Sequence, residues 1–410
     1  MTAAPQAAPR GPAANRLRLG IAGFGMQGAR LAAAAAAIQG VEIAAVADVY
    51  TSRLARAKEI AGDSLVAGRD YRALFQQGVD AVIVATPDHL HAPIAQQALA
   101  AGKDVYIEAP LAHTSQEAAA IVKTASDQRR ICYCGSGRTG SPLLAKARAI
   151  VASGRLGAVT AASVKWGTAG AVDAWQLSFP PDASPDSIDF HAFLGTAPPR
   201  PFDLKRFFRW RSYWDYGGGL AADRLAPLVA DLHGLLNLAA QPQLVAGGGL
   251  HRWKDGRETP DVLSAIADYA GGPTVTLSAT LNGTMPAAIE VCGTDASMIV
   301  ETRRLSVRSA PAAEAYGEMA NTLPREYRDW YYMMHGMSNQ GQVRSAVDLS
   351  ATAEDYDLPD GGTSPLAAQL NEFVNAVRTR VAPAAALQAA ADAAAIADRI
   401  NAAYREKERR

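Results

Sequence analysis

Three glycines, Gly23, Gly25 and Gly28, stand in the spacing G-x-G-x-x-G, and an acid, Asp48, follows the last of them by twenty residues. Such a turn can hold a diphosphate. The first glycine permits a tight bend, the second lets the anion approach the backbone, and the third lets a helix pack closely on the preceding strand. Phe24, Met26 and Gln27 fill the turn, and the N–H groups at the start of the following helix have no carbonyl partner, so they and the helix dipole attract the anion. A lone glycine triplet is weak evidence. Here residues 18–21 read as a buried strand, 29–38 as an alanine-rich helix and 41–47 as a second strand ending at Asp48, which completes a nucleotide-binding unit. Asp48 would accept the hydroxyls of an adenosine ribose and repel a 2′-phosphate, favouring NAD over NADP, with Arg53 and Arg56 close enough in sequence to oppose it.

The next reactive groups lie at the carboxyl ends of later strands, where a doubly wound sheet binds its ligands. One end reads Ala85-Thr86-Pro87-Asp88-His89-Leu90-His91, the next Tyr106-Ile107-Glu108-Ala109-Pro110. Thr86, Pro87, His91 and Glu108 are therefore expected beside the cofactor. His89 and His91, two apart at a helix start, point two ways, and no metal site is expected. Downstream, Arg209-Trp-Arg-Ser-Tyr213-Trp-Asp-Tyr216-Gly-Gly-Gly219 brings aromatic rings and cations towards Asp223. That aspartate could take a proton if desolvated beside a ligand, or serve as a helix N-terminal acid.

From Arg16 to about Gly137 strands and helices alternate, the pattern of a doubly wound parallel sheet. Strands are expected at 18–21, 41–47, 64–66, 79–85, 104–107 and 131–134, and Thr114-Ser-Gln-Glu117 spells a capping box. Beyond Ala158 the hydrophobic period becomes two. Residues 243–253, 261–269, 274–281, 287–291 and 298–301 then read as a mostly antiparallel sheet, with Asp255-Gly256 as a hairpin signal. A loop at 178–208 and a helix from about Gly219 interrupt it, 309–365 is polar and irregular, and a final alanine-rich helical stretch breaks at Ala382-Pro383. The fold class is thus α/β: an N-terminal doubly wound parallel (Rossmann) sheet plus a C-terminal α+β domain with a large, mostly antiparallel open sheet. The expected domains are a disordered leader at 1–15, a dinucleotide-binding domain at 16–138 and a substrate and oligomerisation domain at 139–410.

A chain of 410 residues suits two domains, and its 40 basic and 40 acidic residues give no reason to expect nucleic acid or an anionic membrane as partner. No apolar run approaches the roughly 20 residues that span a bilayer. Cys132, Cys134 and Cys292 are too few and too oddly spaced for a disulfide framework, which fits a reducing, cytoplasmic setting. A small molecule is the partner to expect.

With these motifs in view, the chain resembles the glucose-fructose oxidoreductase / inositol dehydrogenase (Gfo/Idh/MocA) family, whose members carry a similar T-P-x-x-x-H and E-K-P. The likeness extends through Gly140 to Arg148, Pro180 to Pro185, Phe190 to Gly195, the Trp- and Gly-rich run ending at Gly219, and Trp253-Lys-Asp-Gly-Arg-Glu258. It implies a substrate cleft between the two domains, a homodimer or homotetramer, and a catalytic lysine and histidine. This chain carries Ala109 and Pro227 at those two positions. An alcohol oxidation needs a group to take the hydroxyl proton, so the replacement must come from elsewhere. Asp223, Tyr216 and His233 are the candidates, with Arg138, Trp166 and Tyr213 as substrate contacts, while Arg224 supplies charge but accepts protons poorly. Three functions follow as expectations: an NAD-dependent oxidoreductase on a sugar, cyclitol or related polyol; a sugar eliminase or glycosidase that recycles NAD; or a catalytically degenerate NAD-binding protein.

Overall fold

Residues 19–22 are apolar and buried on both faces because they belong to the central strand of a sheet covered by helices on both sides. The computed structural model describes residues 16–62, 64–135, 138, 140–170, 172, 174–238, 242–309, 322–334, 353–359, 364–382 and 384–409. The expected leader at 1–15 and much of the polar stretch 309–365 lie outside the described residues.

The first sheet has six parallel strands, β1 (Leu17–Ala22), β2 (Val41–Ala47), β3 (Val66–Gly68), β4 (Ala81–Val84), β5 (Asp104–Glu108) and β6 (Cys132–Gly135), in the order β3-β2-β1-β4-β5-β6. The chain winds outwards in both directions from β1. The reversal between β1 and β4 opens a crevice at their carboxyl ends, and α1 (Met26–Ala36) starts there. Helix α2 (Thr51–Ala61) follows β2, α3 (His91–Ala100) follows β4, and α4 (Ser115–Asp127) opens with the expected Thr114/Glu117 capping box. Strands β3 and β4 each begin two residues later than expected.

The second sheet has eight strands among the described residues, in the order β14-β13-β12-β11-β7-β10-β9-β8. They are β7 (Val159–Gly167), β8 (Gln243–Leu250), β9 (Val262–Asp268), β10 (Thr274–Thr280), β11 (Met285–Gly293), β12 (Ala296–Glu301), β13 (Arg304–Ser309) and β14 (Ala353–Asp357). All pairings are antiparallel except β7 with β10. Strand β10 shows the period-two logic: Val275, Leu277 and Ala279 are buried while Thr274 and Thr276 face out. Asp255-Gly256 does not form the tight hairpin that the dipeptide suggests. It lies within the 11-residue connection 251–261, where Asp255 instead accepts from the buried guanidinium of Arg257.

Helices α5 (Pro142–Ala152), α6 (Phe190–Leu194), α7 (Leu204–Phe208) and α8 (Ala226–Leu236) belong to the second domain. The helix expected near Gly219 enters instead through a π-helical turn, Ala221–Leu225, before α8 begins. Part of the polar stretch is helical, α9 (Arg325–Met334). The last two helices then cross back. Leu370, Phe373, Val374 and Val377 of α10 (Pro365–Thr379) pack into the core beneath Leu31 and Tyr106, so this C-terminal helix covers one face of the first sheet. Helix α11 (Ala384–Arg409) turns Ala390, Ala391 and Ala394 to the first domain and Ala393, Ile396, Ala397 and Ile400 to the second. Small residues suit a helix sandwiched between two bodies, because they let both approach closely.

Candidate cofactor and substrate cleft

The glycine turn is shaped by what a side chain would strike. Gly23 has φ +87°, and a Cβ there would lie 2.6 Å from the Ala85 carbonyl oxygen; a Cβ on Gly28 would collide with the Gly23 carbonyl. Gly25 differs. Its Cβ would face open space, with the Arg53 guanidinium nearest at 3.8 Å. Helix α1 starts after Gly25 with no side-chain cap, so the amides of Met26, Gln27 and Gly28 remain available to an anion. Asp48 is buried at the end of β2 and pins the turn: Oδ2 accepts from the Phe24 amide at 2.6 Å and Oδ1 from the Tyr50 amide at 2.9 Å. Arg53 Nη1 sits 3.5 Å from the same Oδ2, its guanidinium held among the rings of Tyr50, Phe207 and Phe208. At the end of β4, beside Pro87, the Thr86 hydroxyl is shielded and finds no partner among the described residues. Open amides, a cradle that a Cβ would fill at Gly25 and an orphaned hydroxyl together fit a dinucleotide.

His91 braces the crevice. Its ring nitrogens meet the carbonyls of Pro110 (2.8 Å) and Thr86 (2.9 Å), tying the ends of β4 and β5, and burial pulls its pKa down to about 4. With both nitrogens occupied by backbone, it shapes the site from behind. His89 likewise sits between two carbonyls, its Nε2 2.9 Å from that of Phe193 and its Nδ1 3.4 Å from that of Tyr216, and the single N–H of the neutral ring donates to one of them. Among the described residues no cluster of His, Cys, Asp or Glu could hold a metal.

Two carboxyl groups at these strand ends hold protons unusually well. Burial raises Glu108 to about 7, although hydrogen bonds from Gln27 and Tyr106 act to lower it. Burial and the nearby Asp223 raise Asp88 to about 8, partly offset by Arg211. Asp88 also accepts from the Gly218 amide at 3.2 Å, which fixes the Gly-rich run against the end of β4. Glu108 is the more open of the two, and it sits between the diphosphate turn, through Gln27, and the cleft.

Asp223 lies in the cleft but in a different state. Arg211 Nε donates to its Oδ1 at 2.6 Å and Arg224 Nε lies 2.8 Å from its Oδ2. Burial would raise its pKa, yet Arg224 and Arg211 outweigh this and hold it below the usual carboxylate range. A carboxylate so stabilised is a weak base, which argues against the role expected of it. The other expected residues scatter. His233 is buried in the second domain, bonded to the Tyr269 hydroxyl at 2.6 Å, away from the crevice. Tyr216 is fully buried, packed on Phe193 and His89, and burial raises its pKa. Tyr213 packs in the same aromatic cluster with Arg206 over its ring. Arg138 is committed to the second domain through Asp231 and the Val300 carbonyl. One face of Trp166, the expected substrate contact, is covered by Arg224, 4.4 Å from the ring centroid. Ala109 lines the apolar side of β5 and Pro227 opens α8, so neither position supplies a proton acceptor. Asp88 and Arg211 had no individual signal in the sequence; only the sheet-end position of the first and the aromatic-rich setting of the second pointed to them.

Residues 17–136 match the model of the Gfo/Idh/MocA oxidoreductase family, NAD-binding Rossmann fold. The family resemblance and the NAD assignment of the nucleotide domain are thereby borne out. A glycosyl hydrolase family 109 protein of Shewanella sp. (strain ANA-3) is 34% identical over 133 residues, 30% of this chain and 28% of that protein. Inositol 2-dehydrogenase 1 of Saccharopolyspora erythraea is 33% identical over 144 residues, 34% of this chain and 43% of that protein. The matches thus span less than half of either relative. Over 96% of this chain the fold is similar to a levoglucosan dehydrogenase solved with NADH and levoglucosan, covering 98% of it with a TM-score of 0.69 at 17% identity. It is also similar to the WlbA dehydrogenase of Bordetella pertussis, solved with NADH and UDP-GlcNAcA, at a TM-score of 0.66 and 15% identity over 96% of this chain and 97% of that one. No helix among the described residues is long and apolar enough to cross a membrane.

Proposed function

We propose that the protein is an NAD-dependent oxidoreductase acting on a sugar, cyclitol or related polyol, with Glu108 in place of the missing lysine and histidine as proton acceptor. The observation that carries this reading is a cleft-side carboxyl with a pKa near 7 next to an intact diphosphate turn. Bound NAD would supply the hydride acceptor. The protein's part is to hold the diphosphate on the α1 amides, to shield the site with the aromatic cluster of the second domain, and to receive the hydroxyl proton on Glu108. That group is ionised in about half the molecules near neutral pH, which suits a base that must also release its proton. The relatives whose names include dehydrogenases of inositol and levoglucosan support the substrate class.

A second reading, sugar elimination or glycoside cleavage with NAD recycled, is favoured by Asp88. A second proton-holding carboxyl that shares Arg211 and Asp223 with Glu108 as neighbours would serve a reaction that needs both an acid and a base, and one relative is named as a glycosyl hydrolase. NADH absorbance on a polyol and aldose panel, run beside product analysis with substoichiometric NAD, separates the two. Tight NAD binding without turnover in either assay would leave the degenerate protein.

A further inference from the structure

The Asp223 carboxylate has two cations for one anion. Arg211 and Arg224 approach it from opposite oxygens, each through Nε alone. Both guanidinium planes lie over indoles, Arg211 4.2 Å from the Trp210 centroid and Arg224 4.4 Å from that of Trp166, which fixes them in place without using their donors. Their Nη groups have no acceptor among the described residues. Both side chains remain 31% exposed while Asp223 is only 8% exposed, so the two arginines are open to solvent and the carboxylate lies deeper than they do.

A purely structural brace would not look like this. One arginine is enough to neutralise the single carboxylate of a π-helical turn, whereas here two stacked guanidinium groups meet it and both stay open to solvent. We propose that Arg211 and Arg224 form the binding site for a carboxylate on the substrate, so that the cleft takes a sugar acid, an aldonate or uronate, in preference to a neutral sugar. The proposal rests on the sugar-oxidoreductase reading above and names the substrate class of that site. Guanidinium forks match the plane of a carboxylate and can donate to it in pairs, which an ammonium cannot. The charge count selects a monoanion. Two arginines against Asp223 leave one positive charge uncompensated, which matches one carboxylate and not a dianion such as a phosphomonoester. Held there, the carboxylate would turn the remaining hydroxyls of the sugar towards Glu108.

Calorimetric titration of the NAD-saturated full chain tests this with D-gluconate and D-glucuronate against D-glucose, myo-inositol and D-glucose 6-phosphate. The acids should bind at least about tenfold more tightly than the neutral compounds, the size of one charge-assisted hydrogen bond. Arg224→Gln should remove that preference while leaving NAD affinity within about twofold, and Arg224→Lys, which keeps the charge and loses the fork, should restore only part of it. Equal binding of acids and neutral sugars, no saturation by either acid up to roughly 10 mM, or tighter binding of the phosphate would each overturn the proposal. So would an unchanged preference in Arg224→Gln. Failure of the oxidoreductase reading looks different: the acids bind and respond to Arg224, yet no NADH forms from any compound. NADH formed from neutral polyols with no acid preference is the opposite pattern, and it would sink only the carboxylate site.

Discussion

Glu108→Gln should slow the enzyme and at the same time stabilise it, and the two effects share one cause. The carboxyl is raised from 4.5 to about 7 in the folded protein, chiefly by burial. That gap corresponds to about 3 kcal/mol, an upper value for a group that still reaches the cleft. The sign follows from the raised pKa. Between pH 4.5 and about 7 the folded chain keeps a proton that the unfolded chain has lost, so this group's contribution to stability is whole below 4.5 and gone above about 7. Glutamine is neutral at every pH and escapes the loss. Without NAD, the variant's stability relative to wild type should therefore rise between pH 4.5 and pH 8 by roughly 1–3 kcal/mol, read from denaturant midpoints at each pH. With NAD and a turned-over substrate, kcat should fall by roughly 10² or more. In wild type, kcat/KM should climb with pH through about 7 as Glu108 ionises, and the variant should lose that limb. A stability offset that does not change with pH would show that Glu108 is not perturbed in the folded protein. A gain in stability without loss of rate would leave the burial argument intact and refute the catalytic one.

Gly25→Val should abolish NAD binding in calorimetry while the melting temperature stays nearly unchanged, since its side chain would enter the open diphosphate site and not the packed core. Arg53→Ala, by removing the cation beside Asp48, should widen the preference for NAD over NADP several-fold; a shift the other way would mean that Asp48 is too occupied by Phe24 and Tyr50 to discriminate. Asp223→Asn should cost about 1–3 kcal/mol of stability by leaving Arg211 and Arg224 without their anion, and should slow turnover less than Glu108→Gln does. Light scattering should give a multiple of the 43.0 kDa chain mass, because the outward face of the second sheet carries exposed Val245 and Ile266; a monomer at micromolar concentration refutes this.

The fold was legible wherever one periodicity ruled a segment. Glycine spacing, the capping box at Thr114 and the strict alternation in 274–280 each act over a few residues, and local chemistry decides them. What escaped depends on contacts across long sequence distances. Nothing local to 365–379 says that Phe373 will fill a core beside Tyr106, and nothing in Asp255-Gly256 reveals that a buried Arg257 will claim the aspartate and hold the connection open. The same limit applied to the site. Asp223 resembled a base when only its neighbours in sequence were visible, because one of the two arginines that neutralise it lies twelve residues upstream.

The departure from the family pattern at Ala109 and the proton-holding carboxyl of Glu108 are connected. An ammonium group at position 109, the residue after Glu108, would favour the ionised form of that acid, as any cation within a few ångströms does. Alanine there removes the charge and adds apolar surface, and burial then acts on Glu108 with little opposition, since Arg211 ranks below the hydrogen bonds from Gln27 and Tyr106 among the influences that lower its pKa. On the proposed reading, alanine at 109 leaves burial free to hold the proton on Glu108. The acid that holds its proton to about 7 and the two guanidinium groups set on one carboxylate are the groups that the proposed proton transfer and the proposed carboxylate site would use.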